Sequence, residues 1–447
     1  MNRIFFIIVI LFLISSCDVL NVEPESSIPA SAAFRNKAGI ERGILGSYNS
    51  LQSLSYYGRA YLIASDLSAD NLTHPPDATN SDYAEIDNNA MLPENGAVSG
   101  IWASIYDGIN VANNVIAKIP GIPDMTETQK NEALGELYFL RALNHFNLLN
   151  YFGAIPVKTN PTIGVSNLNA PRDSVDVVYS RIIADLTFAE LNLTASTSRK
   201  VRATKFAATA LLARVALYQG DYDLAYQKAD KVIMEGGYIL PGDFSNIFSA
   251  DGSTETIFEI DFTSVDRNRI AEYNFPKSLN GRREVAPDES IINAFEPGDE
   301  RKDVSIAFDG PNAYANKYND LSLGADNVIV LRLAEMFLIR AEAAANLSDG
   351  SVESIAAACD DVDTIRARAN LNPIVANNKT ELLNAIETER RAEFAFEGHR
   401  WFDLVRTGRA VDIIPTVSNS NKTLFPIPSG ELQTNTNPGM FQNPGYL

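Results

Sequence analysis

Cysteine is almost absent from this sequence, which contains only Cys17 and Cys359 in 447 residues. A disulfide framework needs an even set of cysteines at short spacings, and a structural zinc site needs several Cys or His ligands close together. Two cysteines that lie far apart in the chain meet neither requirement. The sequence therefore excludes a disulfide scaffold and a cysteine-based zinc site.

Basic residues are in the minority. The chain has 37 Lys and Arg against 56 Asp and Glu, for a formal net charge of −19. A nucleic-acid partner requires a basic surface, and so does attachment to anionic lipids. The charge balance argues against both kinds of partner.

Histidine is scarce as well, with only His74, His145 and His399. The metalloprotease, P-loop, dinucleotide-binding and nucleophile-elbow motifs do not occur. A Ser-His-Asp arrangement stays open, although no feature supports it. His145 and the helical Cys359 are interpreted as structural residues, and no catalytic residue, cofactor or metal site is predicted.

The sequence has one long apolar run, at residues 4–14. It is too short for a bilayer span, which needs about 20 residues, and it has the proportions of a signal peptide. Small residues lead directly to Cys17, as in a bacterial lipobox. We therefore expect a signal peptide at 1–16, a lipid anchor at Cys17 and a tether at 17–35. The alternative is a plain secretory signal with a coincidental cysteine.

Helical periodicity dominates the rest of the chain. Residues 204–236 contain two alanine-rich stripes separated by Gly220-Asp221, a turn signal. Small residues on facing helices allow close packing, as in a tetratricopeptide hairpin. Comparable segments recur at irregular spacing. The pattern predicts a mainly α fold of tetratricopeptide-like hairpins with a few short strands.

Two irregular segments interrupt the helices, near 66–100 and 240–328. Long loops in a compact domain are usually functional or disordered, and these are rich in Asp, Asn and aromatic residues. The alternating run at 256–262 predicts a strand. The ligand-binding candidates in these segments are Asp70, Tyr83, Tyr273 and Tyr314.

The densest ionisable cluster lies at 387–406, where Glu389, Glu393 and Glu397 recur every fourth residue among arginines. Glu393 and Glu397 could form the carboxylate pair of a glycosidase. Adjacent arginines would instead keep both ionised, and this favours an ion-pair lattice that docks the helix. Trp102 could stack on a sugar, but its place on a regular helical row favours core packing.

Several passages together resemble the SusD/RagB family of outer-membrane nutrient-binding lipoproteins. They are the lipobox at Cys17, the row from Trp102 to Asn113, and residues 136–156, 331–346, 389–410 and 424–447. Acidic residues after Cys17 resemble the surface-export signal of Bacteroidota lipoproteins. The resemblance spans almost the whole chain.

The resemblance implies one SusD-like domain at 36–447, with the two irregular segments as insertions. It also implies a surface-exposed outer-membrane lipoprotein that is not an enzyme. Such a protein binds oligosaccharides, or sometimes peptides, and passes them to a SusC-like TonB-dependent transporter. A tetratricopeptide-type scaffold that binds only proteins, and a glycoside hydrolase, are the alternatives.

Overall fold

The computed structural model of this chain describes residues 33–162, 164, 168–198 and 200–446. The expected signal peptide, Cys17 and nearly all of the expected tether lie outside the described residues. Within them, no helix combines the length and the apolar character needed to cross a membrane.

Helices make up most of the described structure, as the sequence predicts. The α-helices are α1 (Lys37–Asn49), α2 (Ala60–Ser68), α3 (Ser81–Asp87), α4 (Gly96–Ile116), α5 (Glu127–Phe152), α6 (Val175–Asn192), α7 (Lys205–Gln219), α8 (Tyr222–Glu235), α9 (Ile270–Asn274), α10 (Glu289–Ile292), α11 (Arg301–Ser305), α12 (Leu333–Leu347), α13 (Val352–Arg368), α14 (Lys379–Glu393), α15 (Arg400–Arg406), α16 (Ala410–Ile413) and α17 (Ser429–Thr434). Short 3₁₀ turns occur at Ser50–Gln52, Ile119–Gly121, Phe244–Ile247, Lys277–Leu279 and Ser420–Lys422.

The predicted hairpin at 204–236 is present as α7 and α8. The Thr204 hydroxyl accepts a hydrogen bond from the N–H of Ala207 and caps α7. Gly220 ends α7 at a φ of +80°, in the left-handed region that favours glycine. Asp221 then caps α8 through the N–H of Leu224. The turn is therefore encoded locally, and the buried alanines of both helices allow them to pack closely.

The tetratricopeptide-like body is a succession of neighbouring helices. Contacts run from α4 through α5, α6, α7 and α8, and α8 packs in turn on α12, which packs on α13. The long segment between α8 and α12 leaves this succession and returns to it. The body is thus one stack of helices, and the second insertion packs against it through buried residues such as Phe258, whose ring contacts Phe139 of α5.

The strands form three two-stranded antiparallel sheets within the described residues. They pair β1 (Leu72–Thr73) with β3 (Ala286–Pro287), β2 (Thr256–Ile260) with β6 (Val328–Arg332), and β4 (Ile306–Asp309) with β5 (Asn312–Ala315). The predicted strand at 256–262 is confirmed as β2. Because β1 belongs to the first insertion and β3 to the second, their pairing joins the two insertions.

His145 lies on α5 and is fully buried, which confirms its structural interpretation. Its Nε2 atom accepts a hydrogen bond from the N–H of Lys158 at 3.3 Å. Burial, together with the positive charge of Arg141, lowers the pKa of His145 to about 3. The imidazole is therefore neutral in the folded protein throughout the mildly acidic range.

This burial predicts an acid-dependent loss of stability. The unfolded chain protonates His145 near pH 6.5, whereas the folded chain does not until about pH 3. The free energy of unfolding should therefore fall as the pH drops below about 6.5, by about 2–3 kcal/mol at pH 4.5. Urea titrations across this range should show that the free energy of unfolding of His145→Gln depends less steeply on pH, by the slope that corresponds to about one proton. The same slope in the variant and in the unaltered protein would contradict this prediction.

Candidate functional site

A cleft of about 610 Å³ lies where the end of α1, the middle of α4 and the loop at 261–269 of the second insertion meet. We call it the polar cleft. It is lined by Asn49, Ser50, Gln52, Ser53, Leu54, Ser104, Asp107, Val265, Asp266, Arg267 and Arg269. Nine of these side chains carry hydrogen-bonding groups, so the lining suits a ligand rich in donors and acceptors.

Two walls of the polar cleft are formed by the turn after α1 and by α4, which lie close together. A Cβ atom at Gly108 on α4 would lie only 2.8 Å from the Ser50 hydroxyl, so glycine permits the turn after α1 to approach α4. The hydroxyls of Ser53 and Ser104 are 2.9 Å apart and join the same two walls. Ser104 and Asp107, three residues apart, project from one face of α4.

The third wall is the loop at 261–269. The N–H of Arg269 donates to the carbonyl of Gly58 at 2.9 Å, and the N–H of Thr263 donates to the carbonyl of Asp266 at 3.1 Å. The amide of Gln52 reaches across and donates to the carbonyl of Asp261. These bonds fix the loop against the turn that follows α1.

The polar cleft contains both signs of charge. Arg269 is 3.6 Å from Glu272 at the surface. The guanidinium of Arg267 makes a single long hydrogen bond, 3.4 Å to the carbonyl of Leu321, and its Nε has no partner among the described residues. The Nε is closed to solvent, so the terminal nitrogens are the donors that Arg267 offers to a ligand, while Asp107 and Asp266 provide acceptors. No histidine, cysteine or tyrosine is among the described lining residues.

The acidic cluster lies elsewhere, in the interior. Glu389 and Glu393 are on α14, whereas Glu397 lies in the turn that follows it, so the three do not share one helix. The carboxylate of Glu393 contacts Arg301, Arg332 and Arg368, and the carboxylate of Glu397 contacts Arg332 and Lys317. Burial alone would raise the pKa of Glu393, but the guanidinium groups of Arg368 and Arg332 hold it well below its usual range. The ion-pair interpretation is confirmed, because both carboxylates are buried and charge-paired.

Trp102 is also internal. Its ring packs edge-on against Phe152 with centroids 4.9 Å apart, and it contacts Tyr106 at the same distance. This confirms core packing. Cys359 is likewise buried on α13. Among the described residues, no group of three or more His, Cys, Asp or Glu side chains is placed to hold a metal ion.

Family models match two separate parts of the chain. The model described as "SusD family" matches residues 311–446, and a second model of the SusD-like type, described as "Starch-binding associating with outer membrane", matches residues 18–217. The chain belongs to the SusD/RagB family.

Relatives match this SusD/RagB protein along its whole length. Two SusD-like proteins of Formosa agariphila are each 28% identical, with 99% of this chain covered and 99% and 98% of the relatives. A SusD superfamily protein of Bacteroides vulgatus has a TM-score of 0.83 at 21% identity, covering 92% of this chain and 100% of that one. A structure described as a laminarin-binding SusD-like protein has a TM-score of 0.79 at 25% identity, with the same coverage.

Two of the four ligand-binding candidates predicted for this SusD/RagB protein meet in its interior. Tyr83 and Tyr273 are 1% and 6% exposed, with ring centroids 6.1 Å apart. The guanidinium of Arg59 lies 4.1 Å from the Tyr273 ring, and burial raises the pKa of Tyr83. The contact between these tyrosines joins the two insertions. Tyr273 lies on α9, the short helix that begins directly after Arg269 of the polar cleft.

The other two candidates lie apart from this pair and from the polar cleft. Asp70 accepts hydrogen bonds from Arg400 at 2.7 and 3.1 Å and is 3.2 Å from Arg391, so its carboxylate is already paired. Tyr314, on β5, is half-buried against Phe275 with ring centroids 4.5 Å apart. Tyr314 is thus the candidate with an accessible aromatic surface.

The residues of the polar cleft do not stand out as a site in the sequence. Asp266, Arg267 and Arg269 fall inside the predicted insertion at 240–328, and their D-R-N-R run is a local charge signal. Gln52 and Asp107 lie outside both insertions, on segments that read as ordinary helix and turn. Only the fold brings these segments together.

Proposed function

We propose that this protein is a non-catalytic lipoprotein of the outer-membrane surface that binds oligosaccharides in the polar cleft. In this proposal it delivers them to a SusC-like TonB-dependent transporter. The observation that carries the proposal is a cleft lined by hydrogen-bonding side chains in a SusD/RagB protein. A relative of the same fold described as laminarin-binding supports a carbohydrate ligand.

The chemistry of the polar cleft fits a sugar. Its volume of about 610 Å³ is within the range of small-molecule sites, roughly 300–1,000 Å³. Sugar hydroxyls are both donors and acceptors, so they can accept from Arg267 and donate to Asp107. Because no aromatic ring is among the described residues that line the cleft, recognition there depends on hydrogen bonds, with Leu54 and Val265 as its apolar contacts.

The structure offers the glycosidase alternative little support. A general acid needs a carboxyl group with a raised pKa at the substrate. Glu393 and Glu397 both have lowered pKa values, because neighbouring arginine and lysine charges outweigh the effect of burial. Relatives are described as binding proteins, not as enzymes. We therefore assign this protein a binding role.

Membership of the family supports the proposed location and the proposed partner. One matching family model is described as associating with the outer membrane, and the expected lipid anchor at Cys17 would place the protein there. The rigid stack of helices provides a surface on which a transporter could dock. Co-purification with a SusC-like protein from detergent-solubilised outer membranes tests this part of the proposal.

Asp107→Ala should weaken oligosaccharide binding about tenfold, which corresponds to about 1.4 kcal/mol, because it removes an acceptor from the polar cleft. Isothermal titration calorimetry on the mature chain, with laminari-oligosaccharides first and then a glycan array, measures this. Asp223→Ala is the matched control, since Asp223 is exposed on α8, away from the cleft.

Two results would contradict the site or the function. Unchanged affinity in Asp107→Ala together with loss in Tyr314→Ala would move the site to the outer face of the insertions. Affinity for protein partners alone, with no glycan bound, would favour the tetratricopeptide scaffold instead.

A further inference from the structure

A second cleft, of about 400 Å³, opens on the helical body between the start of α8 and the helices α12, α14 and α15. We call it the helical-body cleft. It shares no lining residue with the polar cleft, and its volume lies within the range of small-molecule sites, roughly 300–1,000 Å³. Six of its lining side chains are charged: Arg390, Arg406 and Arg409, with Glu342, Glu387 and Asp403.

The charged groups of the helical-body cleft pair with one another. Asp403 accepts from Nε of Arg390 and from Nε of Arg406, both at 2.9 Å. The two oxygens of Glu342 accept from the terminal nitrogens of Arg406 at 2.5 and 2.7 Å. Both carboxylates therefore have a guanidinium partner on each oxygen.

Glu387 is engaged in the same way. One of its oxygens accepts from Arg400 at 3.2 Å, and the other is 3.4 Å from Nε of Arg409. The three carboxylates and the three arginines of the lining thus balance. A charged ligand of either sign would have to compete with one of these pairs and leave a charge without its partner. The balance of charge favours a neutral ligand.

Neutral polar groups on the wall of the helical-body cleft are open to such a ligand. Thr380 and Asn384 are exposed, and Tyr222 and Asn346 are half-buried. None of their polar atoms is among the described atoms that are closed to solvent without a partner. The amide oxygen of Asn384 accepts from Arg409 at 3.3 Å, which leaves the amide nitrogen to donate. The amide nitrogen of Asn346 donates to its own helix at 3.0 Å, which leaves the amide oxygen to accept.

We propose that the helical-body cleft is a second saccharide site and that it takes a neutral sugar. Sugar hydroxyls both donate and accept, which matches the mixture of hydroxyl and amide groups on this wall. Tyr222 supplies an aromatic ring, which the described lining of the polar cleft lacks, and Leu383 supplies a further apolar contact. The inference rests on the proposed function for the class of ligand, but it concerns a separate site.

Three probes that share one pyranose ring test the argument from charge. They are methyl glucoside, which is neutral, methyl glucuronide, which is an anion, and the methyl glycoside of glucosamine, which is a cation. Ligand-observed NMR measures their affinities for the mature chain carrying Asp107→Ala, in which the polar cleft is weakened. We expect methyl glucoside to bind at millimolar concentration and both charged probes to bind about tenfold more weakly.

Variants in the same background locate the binding. Leu383→Trp should abolish it by filling the helical-body cleft. Leu191→Trp is the matched control, because Leu191 is 77% exposed on α6 and lines neither cleft. Tyr222→Phe keeps the ring, removes the hydroxyl and should weaken binding about threefold. Circular dichroism checks the fold, and Tyr222→Phe decides the outcome if Leu383→Trp does not fold.

The outcomes separate the second site from the proposed function. Equal binding of the neutral and charged probes, no binding of methyl glucoside, or undiminished binding in Leu383→Trp and Tyr222→Phe would overturn the second site. Oligosaccharide binding that Asp107→Ala weakens and Leu383→Trp leaves intact would also overturn it, while the proposed function would stand. Binding that only Leu383→Trp removes would support the second site and contradict the polar cleft.

Discussion

Arg332→Met should lower the free energy of unfolding by about 3–5 kcal/mol, the range for removing one partner of a buried charge network. Arg332 ends β6 and is 2% exposed. It donates to Glu397 at 2.8 Å and to Glu255 at 2.9 Å, and it also contacts the carboxylate of Glu393. Methionine would fill much of the volume but leave these carboxylates short of a positive charge.

The effect should be large because the network is closed to solvent. Arg301 and Arg368 remain bonded to Glu393 in the variant, but among the described residues Glu397 retains only Lys317 as a charged partner. An ionised carboxylate in this environment either stays charged at a cost or takes up a proton. Both outcomes favour the unfolded chain, in which water solvates every carboxylate.

Urea unfolding followed by circular dichroism measures the difference. Arg269→Met is the matched control, because Arg269 is 3.6 Å from Glu272 with side chains 40% and 21% exposed. A surface pair of that kind contributes about 0–1 kcal/mol. If Arg332→Met lowers the free energy of unfolding no more than Arg269→Met does, the buried ion-pair network does not stabilise the fold.

The same lattice affects how catalysis can be tested. Glu393→Gln removes a charge that Arg301, Arg332 and Arg368 share, so we expect it to destabilise the protein. A loss of any activity in that variant would therefore need a measurement of folding beside it. The spacing of the glutamates in the sequence suggests a possible carboxylate pair, because it does not show the distant arginines that give these groups a structural role as ion-pair partners.

Local signals predicted much of the helical body. The hairpin of α7 and α8 follows from two apolar stripes, a cap at Thr204 and a left-handed glycine at 220, all visible within one short segment. The i+4 spacing likewise predicted that Glu389 and Glu393 share one face of α14. Its extension to Glu397 was wrong, because α14 ends at Glu393 and Glu397 lies in the turn that follows. These features depend on neighbours along the chain, which the sequence displays directly.

The candidate site was less predictable because it depends on distant segments. Gln52, Asp107 and Arg267 meet in the polar cleft only after α1, α4 and the second insertion are packed. Tyr83 and Tyr314 have the same side chain in similarly polar segments of the sequence, yet Tyr83 is buried on α3 and Tyr314 is half-buried on β5. Composition identifies such segments as candidates, but it cannot tell which of their aromatic rings turn inward.

Cys17→Ala should release the protein from the membrane entirely. The structure does not describe Cys17, and its role rests on the apolar run at 4–14 and the small residues that precede the cysteine. Each buried CH₂ of an acyl chain contributes about 0.8 kcal/mol, and two or more chains anchor a protein stably. The net charge of −19 cannot replace that anchor, because an acidic protein is repelled by anionic lipids.

Membrane fractionation and intact-mass spectrometry test this prediction. We expect the unaltered protein in the outer membrane, cleaved before Cys17 and carrying a diacylglycerol, and the variant soluble or uncleaved. Cys359→Ala is the control, because the Cys359 thiol is buried on α13 and its loss removes no acceptor for lipid. An acylated Cys17→Ala protein would exclude this anchor, and a soluble unaltered protein would favour a plain secretory signal. Either result would also remove the physical basis for placing the polar cleft at the cell surface beside a transporter.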